Sequence, residues 1–442
     1  MMACKASSAP FLRNIVVRSY SAQAAPALSC SKLEQTTLPN KIVVASVASS
    51  SPLARVSVLF KAGSRYESPE EAGLAHALRI AAGLTTAGAS KLAITRTLQK
   101  LGANLTATSD RESITYTLEG TRDAVEHSLN ILREVATQQV FKPWEIHDNL
   151  SRIQYEITGL ANPVRAIDIL HKAAFRQGLG NSLFCSKSRI SKINGESLCE
   201  YVSKTFTAPR AAVAGVGMDL NSLVAFANDL QIESSEGPAA ASKYYGGELR
   251  KESGGQLAHV AIAGQGASLK DTKAALAAAV LQQALGAGPS IKWGSSAGNL
   301  VKAVTSAAGK TPVAVTALNA EYSDNGLIGA LVSCPAEAAD GIVRAAVSAL
   351  KSINVSDADI QRGKALLKAN VLDQAESGRT LVEEIGQQAL LLGKVTSAKE
   401  LAQAIDSVSQ NDVLNVASKL KSGKLSVGAV GNLTKVPYAD EC

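Results

Sequence analysis

Runs and alternations of apolar residues predict strands in the first half of the chain, and apolar residues spaced about 3.6 apart predict helices. The expected strands are Lys41–Val47, Arg55–Lys61, Glu112–Leu118 and Arg210–Val216. The expected helices are Glu70–Gly83, Lys91–Leu101, 122–138, 142–158, 162–176 and 195–206. The folded part is therefore expected to begin near Leu38. Strands that follow one another without a helix favour antiparallel or mixed pairing over parallel βαβ units.

A similar order of elements returns after residues 233–255, which are polar, small and glycine-rich. Such a composition predicts a linker, here with a short strand at Tyr244–Glu248. The expected strands beyond it are Leu257–Ala263, Pro312–Glu321, Gly326–Cys334 and Lys424–Val430. The expected helices are Asp271–Leu285, 336–352, 356–374, 378–392, 397–406 and 410–421.

Two pairs of segments indicate that the halves arose by duplication. Residues 194–217 parallel residues 409–432, because each leads from a helix through a short turn to a strand that ends near Val-Gly. Residues 140–157 parallel residues 354–371, where Lys-Pro or a capping Ser opens a long helix. The sequence thus predicts an α+β fold of two related domains, 38–232 and 256–442. Each would have a mixed, mainly antiparallel sheet covered by helices.

The first 20 residues are typical of a mitochondrial transit peptide, which is removed after import. They contain basic residues and no acid, and Leu12, Ile15 and Val16 share one helical face. Charges interrupt the continuous apolar stretch that a secretory signal requires. We expect cleavage after Tyr20, which leaves residues 21–37 as an N-terminal arm.

Composition and charge exclude several classes of function. The net charge is +7 without any dense basic run, and only 4% of residues are aromatic, which argues against nucleic-acid binding. No apolar run is long enough to span a membrane, since Gln282 and Gln283 interrupt the nearest candidate. The six cysteines form no CxxC pair and are expected to be reduced, mostly structural thiols.

Residues 63–90 contain the one suggestive setting among the five histidines, which are His76, His127, His147, His171 and His259. Gly73, Ala75 and His76 match the Gly-x-Ala-His-x-x-Glu-His pattern of the pitrilysin-like peptidases, which the segment resembles. In that pattern the two histidines bind zinc and the glutamate is the general base. The resemblance implies a duplicated pitrilysin-like fold.

The residues that this chemistry requires are missing. Arg79 stands where the general base should be and Ile80 where the second histidine should be, while Glu156 falls near the position of the third ligand. A permanently cationic guanidinium repels a metal and cannot take a proton from water. We therefore expect no catalytic residue, no metal ligand and no cofactor, and we interpret His76 as a structural histidine on a core helix.

The second half offers no replacement for the lost site. Its matching helix reads TKAALAAAVLQQAL, which contains neither a histidine nor an acid. Active relatives hold their substrate with an Arg and a Tyr around Ser-Arg-Leu and Arg-Gly-Leu-Ala-Tyr. This chain has Gly298-Asn299-Leu300 in the first place and no counterpart of the second.

Within the family, several stretches are similar to the non-catalytic core subunits of mitochondrial ubiquinol–cytochrome c reductase (complex III). They are residues 60–68, 83–105, 281–296, 319–329 and 382–394. The resemblance implies a scaffold and assembly subunit in respiratory electron transport, peripheral on the matrix side of the inner membrane. It would pair with core protein 1 as a heterodimer and join cytochrome b, cytochrome c1 and the iron–sulfur subunit.

The alternative is a non-catalytic, alpha-like subunit that binds substrate for a mitochondrial processing peptidase. That subunit has a long glycine-rich loop that feeds substrate to its partner, and the segment LGAGPSIKWGSS stands in its place here. The missing loop favours the complex III subunit. A third alternative, an independent peptidase, conflicts with Arg79 and Ile80.

Overall fold

The computed structural model describes residues 32–239, 241–286 and 298–441. The predicted transit peptide, its cleavage site and residues 21–31 of the arm lie outside the described residues. So do residues 287–296 of the segment that was compared with the glycine-rich loop.

The described residues form strands and helices in an order that largely repeats between the two halves. The strands are β1 (Leu33–Thr37), β2 (Val43–Val47), β3 (Leu53–Phe60), β4 (Asn104–Ser109), β5 (Ile114–Thr121), β6 (Ala211–Val216), β7 (Gly247–Glu252), β8 (Leu257–Gln265), β9 (Ala314–Glu321), β10 (Gly326–Pro335) and β11 (Ser426–Gly431). The helices are α1 (Leu74–Ala81), α2 (Lys91–Leu101), α3 (Arg122–Thr137), α4 (Pro143–Gly159), α5 (Asn162–Phe175), α6 (Gly195–Thr205), α7 (Leu220–Asp229), α8 (Thr272–Leu285), α9 (Asn299–Ala308), α10 (Ala339–Lys351), α11 (Asp357–Glu376), α12 (Gly378–Leu392), α13 (Ala398–Ser407) and α14 (Gln410–Ser422).

The two sheets have the same topology, which confirms the predicted α+β duplication. The first has the strand order β1-β2-β6-β3-β5-β4, and the second has the order β7-β11-β8-β10-β9. In each sheet one pair is parallel, β2 with β6 and β7 with β11, and the other pairs are antiparallel. The sheets are therefore mixed and mainly antiparallel, and β1 is an addition to the first.

Each sheet packs its own helices on one face and a helix from the other half on the opposite face. On the first sheet, α12 buries Val382, Ile385 and Ala389 against Leu59 and Ala212. On the second sheet, α5 places Ala166, Leu170 and Phe175 against a matching apolar surface that includes Ala261, Leu327 and Val430. Because α5 and α12 follow equivalent helices, α4 and α11, the duplicated halves exchange equivalent elements. Neither sheet completes its burial within its own half.

Local sequence signals explain most of the helix boundaries. Ser90 accepts a hydrogen bond from the backbone N–H of Ala93 at 3.3 Å and so caps α2, which ends at Gly102 in the left-handed conformation. Capping boxes at Ser356, Ser397 and Ser409 start α11, α13 and α14. These short-range signals place the helices close to their predicted positions.

The first sheet begins earlier than predicted. The strand β1 pairs with β2 along its whole length, so the expectation that the folded part begins near Leu38 is wrong. Only Leu33 of this five-residue edge strand is apolar, and it packs on the cluster beneath α12. A short, polar edge strand has no periodicity that sequence reasoning can detect.

The predicted linker also contains more structure than its composition indicates. The strand β7 lies within residues 233–255 and overlaps the expected strand Tyr244–Glu248 in only two residues. Its sequence, GELRKE, is charged because it forms an exposed sheet edge. The sequence interpretation also omitted β4, α7 and α9, and it extended α1 beyond Leu74–Ala81 at both ends.

Candidate functional site

The helix that carries His76 starts on a buried carboxyl group. The side chain of Glu67 accepts hydrogen bonds from the backbone N–H groups of Gly73 at 3.0 Å and Ala75 at 2.7 Å, two donors that the first turn of α1 leaves free. Gly73 has a φ of 96°, and a Cβ there would meet the side chain of Cys185 at 2.7 Å. Burial raises the pKa of Glu67 to about 8, although the two backbone hydrogen bonds oppose this rise.

The hydrogen bonds of His76 define the state of its ring. The side chain is only 1% exposed, and its Nδ1 accepts a hydrogen bond from the backbone N–H of Cys185 at 3.2 Å. The proton of the neutral ring is therefore on Nε2, which donates to Oε2 of Glu156 at 3.1 Å. Burial lowers the pKa of His76, so the ring is neutral at pH 7.

Arg79 also donates to the carboxylate of Glu156. Its Nη2 donates to Oε2 of Glu156, and Arg152 lies 3.8 Å from the other carboxylate oxygen. Burial acts to raise the pKa of Glu156, but the hydrogen bonds from Arg79 and His76 outweigh it and hold the pKa below its usual range. The result is an ionised carboxylate that ties α1 to α4 through one cationic and one neutral donor.

This donor set does not fit zinc. A catalytic zinc site needs three protein ligands and an open position for water. Here Nε2 of His76 carries a proton, Arg79 covers Glu156, and the buried Ile80 has no donor atom. Within residues 32–239, 241–286 and 298–441, no three His, Cys, Asp or Glu side chains group together in a way that could hold a metal.

The other histidines lie on separate elements. His127 and His147 are exposed on α3 and α4, and Nδ1 of His259 in β8 forms a hydrogen bond with Oγ of Ser333 at 2.8 Å. His171 in α5 is buried between the carbonyl of Ile167 and the hydroxyl of Tyr322, and burial lowers its pKa to about 3. The structure brings none of them to His76.

The equivalent place in the second half is filled by backbone packing. The helix α8 packs on α11 as α1 packs on α4, and a Cβ on Gly363 would meet the carbonyl oxygen of Val280 at 2.8 Å. Ala277, Ala278 and Leu281 of α8 are buried. Small residues thus bring the two helices together without any polar cluster.

The structure brings together His76, Arg79 and Glu156, which the sequence interpretation grouped as a degenerate set. The sequence interpretation missed the other residues of the cluster. The loop that follows α5 supplies Cys185 and also Phe184, whose ring meets that of His76 edge-on with centroids 5.8 Å apart. No motif marks this loop. The pairing of Arg79 with Glu156 could have been found, because a cation at the lost base position faces the one acid that remains.

Models of two protein families match most of the chain. Residues 43–187 match the insulinase domain of peptidase family M16, and residues 192–367 match the inactive domain of peptidase M16. The chain belongs to peptidase family M16. This confirms the pitrilysin-like fold that the segment around His76 predicted.

Relatives that match over most of their length indicate which members of the family this chain resembles. The cytochrome b-c1 complex subunit 2 of Rattus norvegicus is 38% identical over 96% of this chain and 97% of the relative, and that of Homo sapiens is 38% identical over 92% of each. The probable mitochondrial-processing peptidase subunit alpha-1 of Arabidopsis thaliana is 29% identical over 93% of the chain and 84% of the relative. The resemblance to core subunits is therefore confirmed over nearly the whole length.

A solved structure shares the fold. A chain of the structure described as Complex III2 from Candida albicans, Inz-5 bound, superimposes with a TM-score of 0.77 at 18% identity, covering 92% of this chain and 98% of that one. In the described part of this chain, no helix combines the length and the low polarity needed to cross a membrane.

Proposed function

We propose that this chain is a non-catalytic scaffold and assembly subunit of mitochondrial ubiquinol–cytochrome c reductase, the cytochrome b-c1 complex. The observation that carries the proposal is its similarity, over nearly the full length of both chains, to cytochrome b-c1 complex subunit 2 of mammals. The alpha subunits of processing peptidases are less similar.

The geometry at His76 supports a role without catalysis. Hydrolysis by this family's chemistry needs a base that accepts a proton from a metal-bound water. Arg79 cannot accept a proton, and its guanidinium pairs with Glu156. The cluster thus contributes to the packing of α1 on α4 and leaves no group for peptide cleavage.

The subunit would lie on the matrix side of the inner membrane, pair with core protein 1 as a heterodimer, and contact cytochrome b, cytochrome c1 and the iron–sulfur subunit through the assembly. The acid-free, basic first 20 residues support delivery to mitochondria, with cleavage after Tyr20. We place the two domains on either side of residues 233–246, since β7 belongs to the second sheet. Haem and iron–sulfur groups would be held by the other subunits.

The test is assembly in cells that lack their own copy of this chain. A tagged chain should migrate with haem-stained cytochromes b and c1 in native gels and restore ubiquinol oxidation. The paired variant Arg79→Gln and Glu156→Gln should also assemble, because it removes the charges together. A tagged chain found only as a free matrix dimer, with reductase activity unchanged by its loss, would contradict the proposal.

An alpha-like role in presequence processing is the second candidate, favoured by 29% identity to a processing-peptidase subunit over 93% of the chain. Purified chain is mixed with a catalytic beta-type subunit and a presequence peptide. Cleavage that depends on this chain would establish that role, and cleavage unaffected by it would exclude it.

A further inference from the structure

A cavity of about 410 Å³ lies between the two halves of the chain. Its walls come from α5, from the turn between β4 and β5, from the end of β9, and from α12. Phe184 separates it from His76, since the ring of Phe184 lines the cavity and contacts the histidine. The cavity is thus next to the His76 cluster but contains none of its polar atoms.

Most of the wall is apolar. The larger apolar side chains that line it are Val164, Ile167, Leu183, Phe184, Leu269 and Leu391. A concave, mainly apolar space of this size with a few polar groups is the usual form of a small-molecule site.

Most polar groups of the wall already have partners. Arg111 pairs with Asp168 at 2.7 Å, and Glu112 pairs with the buried Arg65 at 2.5 Å. His171 is engaged on both ring nitrogens. A ligand would therefore have to break an existing contact to use any of these groups.

Two carboxyl groups of the wall, those of Glu321 and Asp110, have no salt-bridge partner in the part of the chain that the structure describes. Glu321 is half-buried and accepts one hydrogen bond, from the side-chain amide of Asn319 at 2.8 Å, and Asp110 stands at the more exposed part of the wall. Among the described residues, no lysine, arginine or histidine forms a salt bridge with either one. Burial raises the pKa of Glu321 to about 7, because a negative charge is unfavourable there without a cationic partner.

We propose that this cavity binds a small organic cation, with its ammonium or amidinium group on Glu321 and Asp110 and its apolar body against Val164 and Leu391. The cation supplies a positive charge beside Glu321, whose one hydrogen-bond partner is the neutral Asn319, and a planar amidinium can donate two hydrogen bonds to a carboxylate. An anion is disfavoured because Arg111 is already paired. Since α5 and α12 both line the cavity, the ligand also holds the two halves together.

Three ligands of nearly the same shape test the proposal: benzamidinium, neutral benzamide and anionic benzoate. Each is titrated by calorimetry into the full mature chain at pH 8, where Glu321 is ionised. Because benzamidinium has few atoms, it should bind with a dissociation constant on the order of 1 mM. Binding to the folded state should also raise the unfolding temperature. Benzamide should bind at least about tenfold more weakly, and benzoate should not bind.

Charge variants locate the site. Glu321→Gln and Asp110→Asn should each weaken benzamidinium binding about tenfold or more, by loss of a charge-assisted hydrogen bond. Glu383→Gln on α12 makes the same charge change outside the cavity wall and should leave binding unchanged. Asp110→Asn keeps the test valid if Glu321→Gln fails to fold, because Asp110 is exposed. Absent binding, equal binding of benzamide and benzamidinium, or binding that ignores both variants would overturn the proposal.

Discussion

The exchange of helices between halves makes a sharp prediction at Gly428. This residue lies in β11 beneath α5, and a Cβ built on it would stand 2.5 Å from the carbonyl oxygen of Ala166 and 2.5 Å from the backbone nitrogen of Leu170. Both are backbone atoms, so no side chain can rotate away. Gly428→Ala therefore has to lift α5 from the second sheet by about 1 Å to restore ordinary van der Waals contact.

The expected cost is about 3 kcal/mol in the free energy of unfolding, at the upper end of the range for overpacked cores. Gly386→Ala in α12 should cost less, about 1 kcal/mol, because its Cβ would meet the flexible end of Leu59 at 2.6 Å. Gly341→Ala in α10 should instead stabilise by about 0.5–1 kcal/mol, since a Cβ there meets nothing within 4 Å and alanine favours the helix.

The three single variants are compared by urea unfolding, with the transition midpoint as the measured quantity. The midpoint should fall most for Gly428→Ala, fall less for Gly386→Ala and rise for Gly341→Ala. A Gly428→Ala chain that unfolds at the same urea concentration as the parent would refute the close packing of α5 on the second sheet.

Three further predictions concern α1. Because the folded pKa of Glu67 is raised to about 8 from 4.5, the native state keeps a proton that the unfolded state releases, and the free energy of unfolding should fall as pH rises from about 5 to 8. Glu67→Gln should flatten this pH dependence in urea titrations. An unchanged pH dependence in the variant would contradict the role of Glu67. Arg79→Met should destabilise by about 1–2 kcal/mol, discounted because Arg79 and Glu156 are each about a quarter exposed. The double variant Arg79→Met with Glu156→Gln should lose less unfolding free energy than the two single variants lose together. Strict additivity of the two losses would argue against the ion pair. Arg79→Glu with Ile80→His should gain zinc, measured by metal analysis, without efficient peptide cleavage. Robust cleavage would show that the Arg and Tyr that hold substrate in active relatives, and are missing here, are dispensable.

The architecture was predictable because its signals are local and occur twice. The element order and the duplication were predicted from three signals: capping serines, the apolar period, and the paired segments at 194–217 and 409–432. By contrast, β1 and β7 are polar edge strands whose pairing is decided by the strand beside them. The helix α9 could have been found from Leu300, Val304 and Ala308, which are spaced four apart.

For the candidate site, the sequence identifies the residues at the base and ligand positions but not the contacts that those residues make. The sequence reveals that Arg79 and Ile80 stand at the base and ligand positions. It gives no sign that the backbone of Cys185 fixes the tautomer of His76, because that contact joins residues far apart in the chain. The cavity between the halves depends on α5 and α12 crossing to the opposite sheets, which no local pattern predicts.

The packing of α12 on the first sheet also determines when that sheet can be fully buried as the chain is made. The first sheet is complete in sequence once β6 ends at Val216, yet the helix that covers its second face begins only at Gly378. A chain that emerges from its amino end therefore presents Leu59, Ala212 and Ala214 uncovered until almost all of it has been delivered. During synthesis or translocation this apolar face is an aggregation hazard, and a chaperone would have to shield it until α12 arrives.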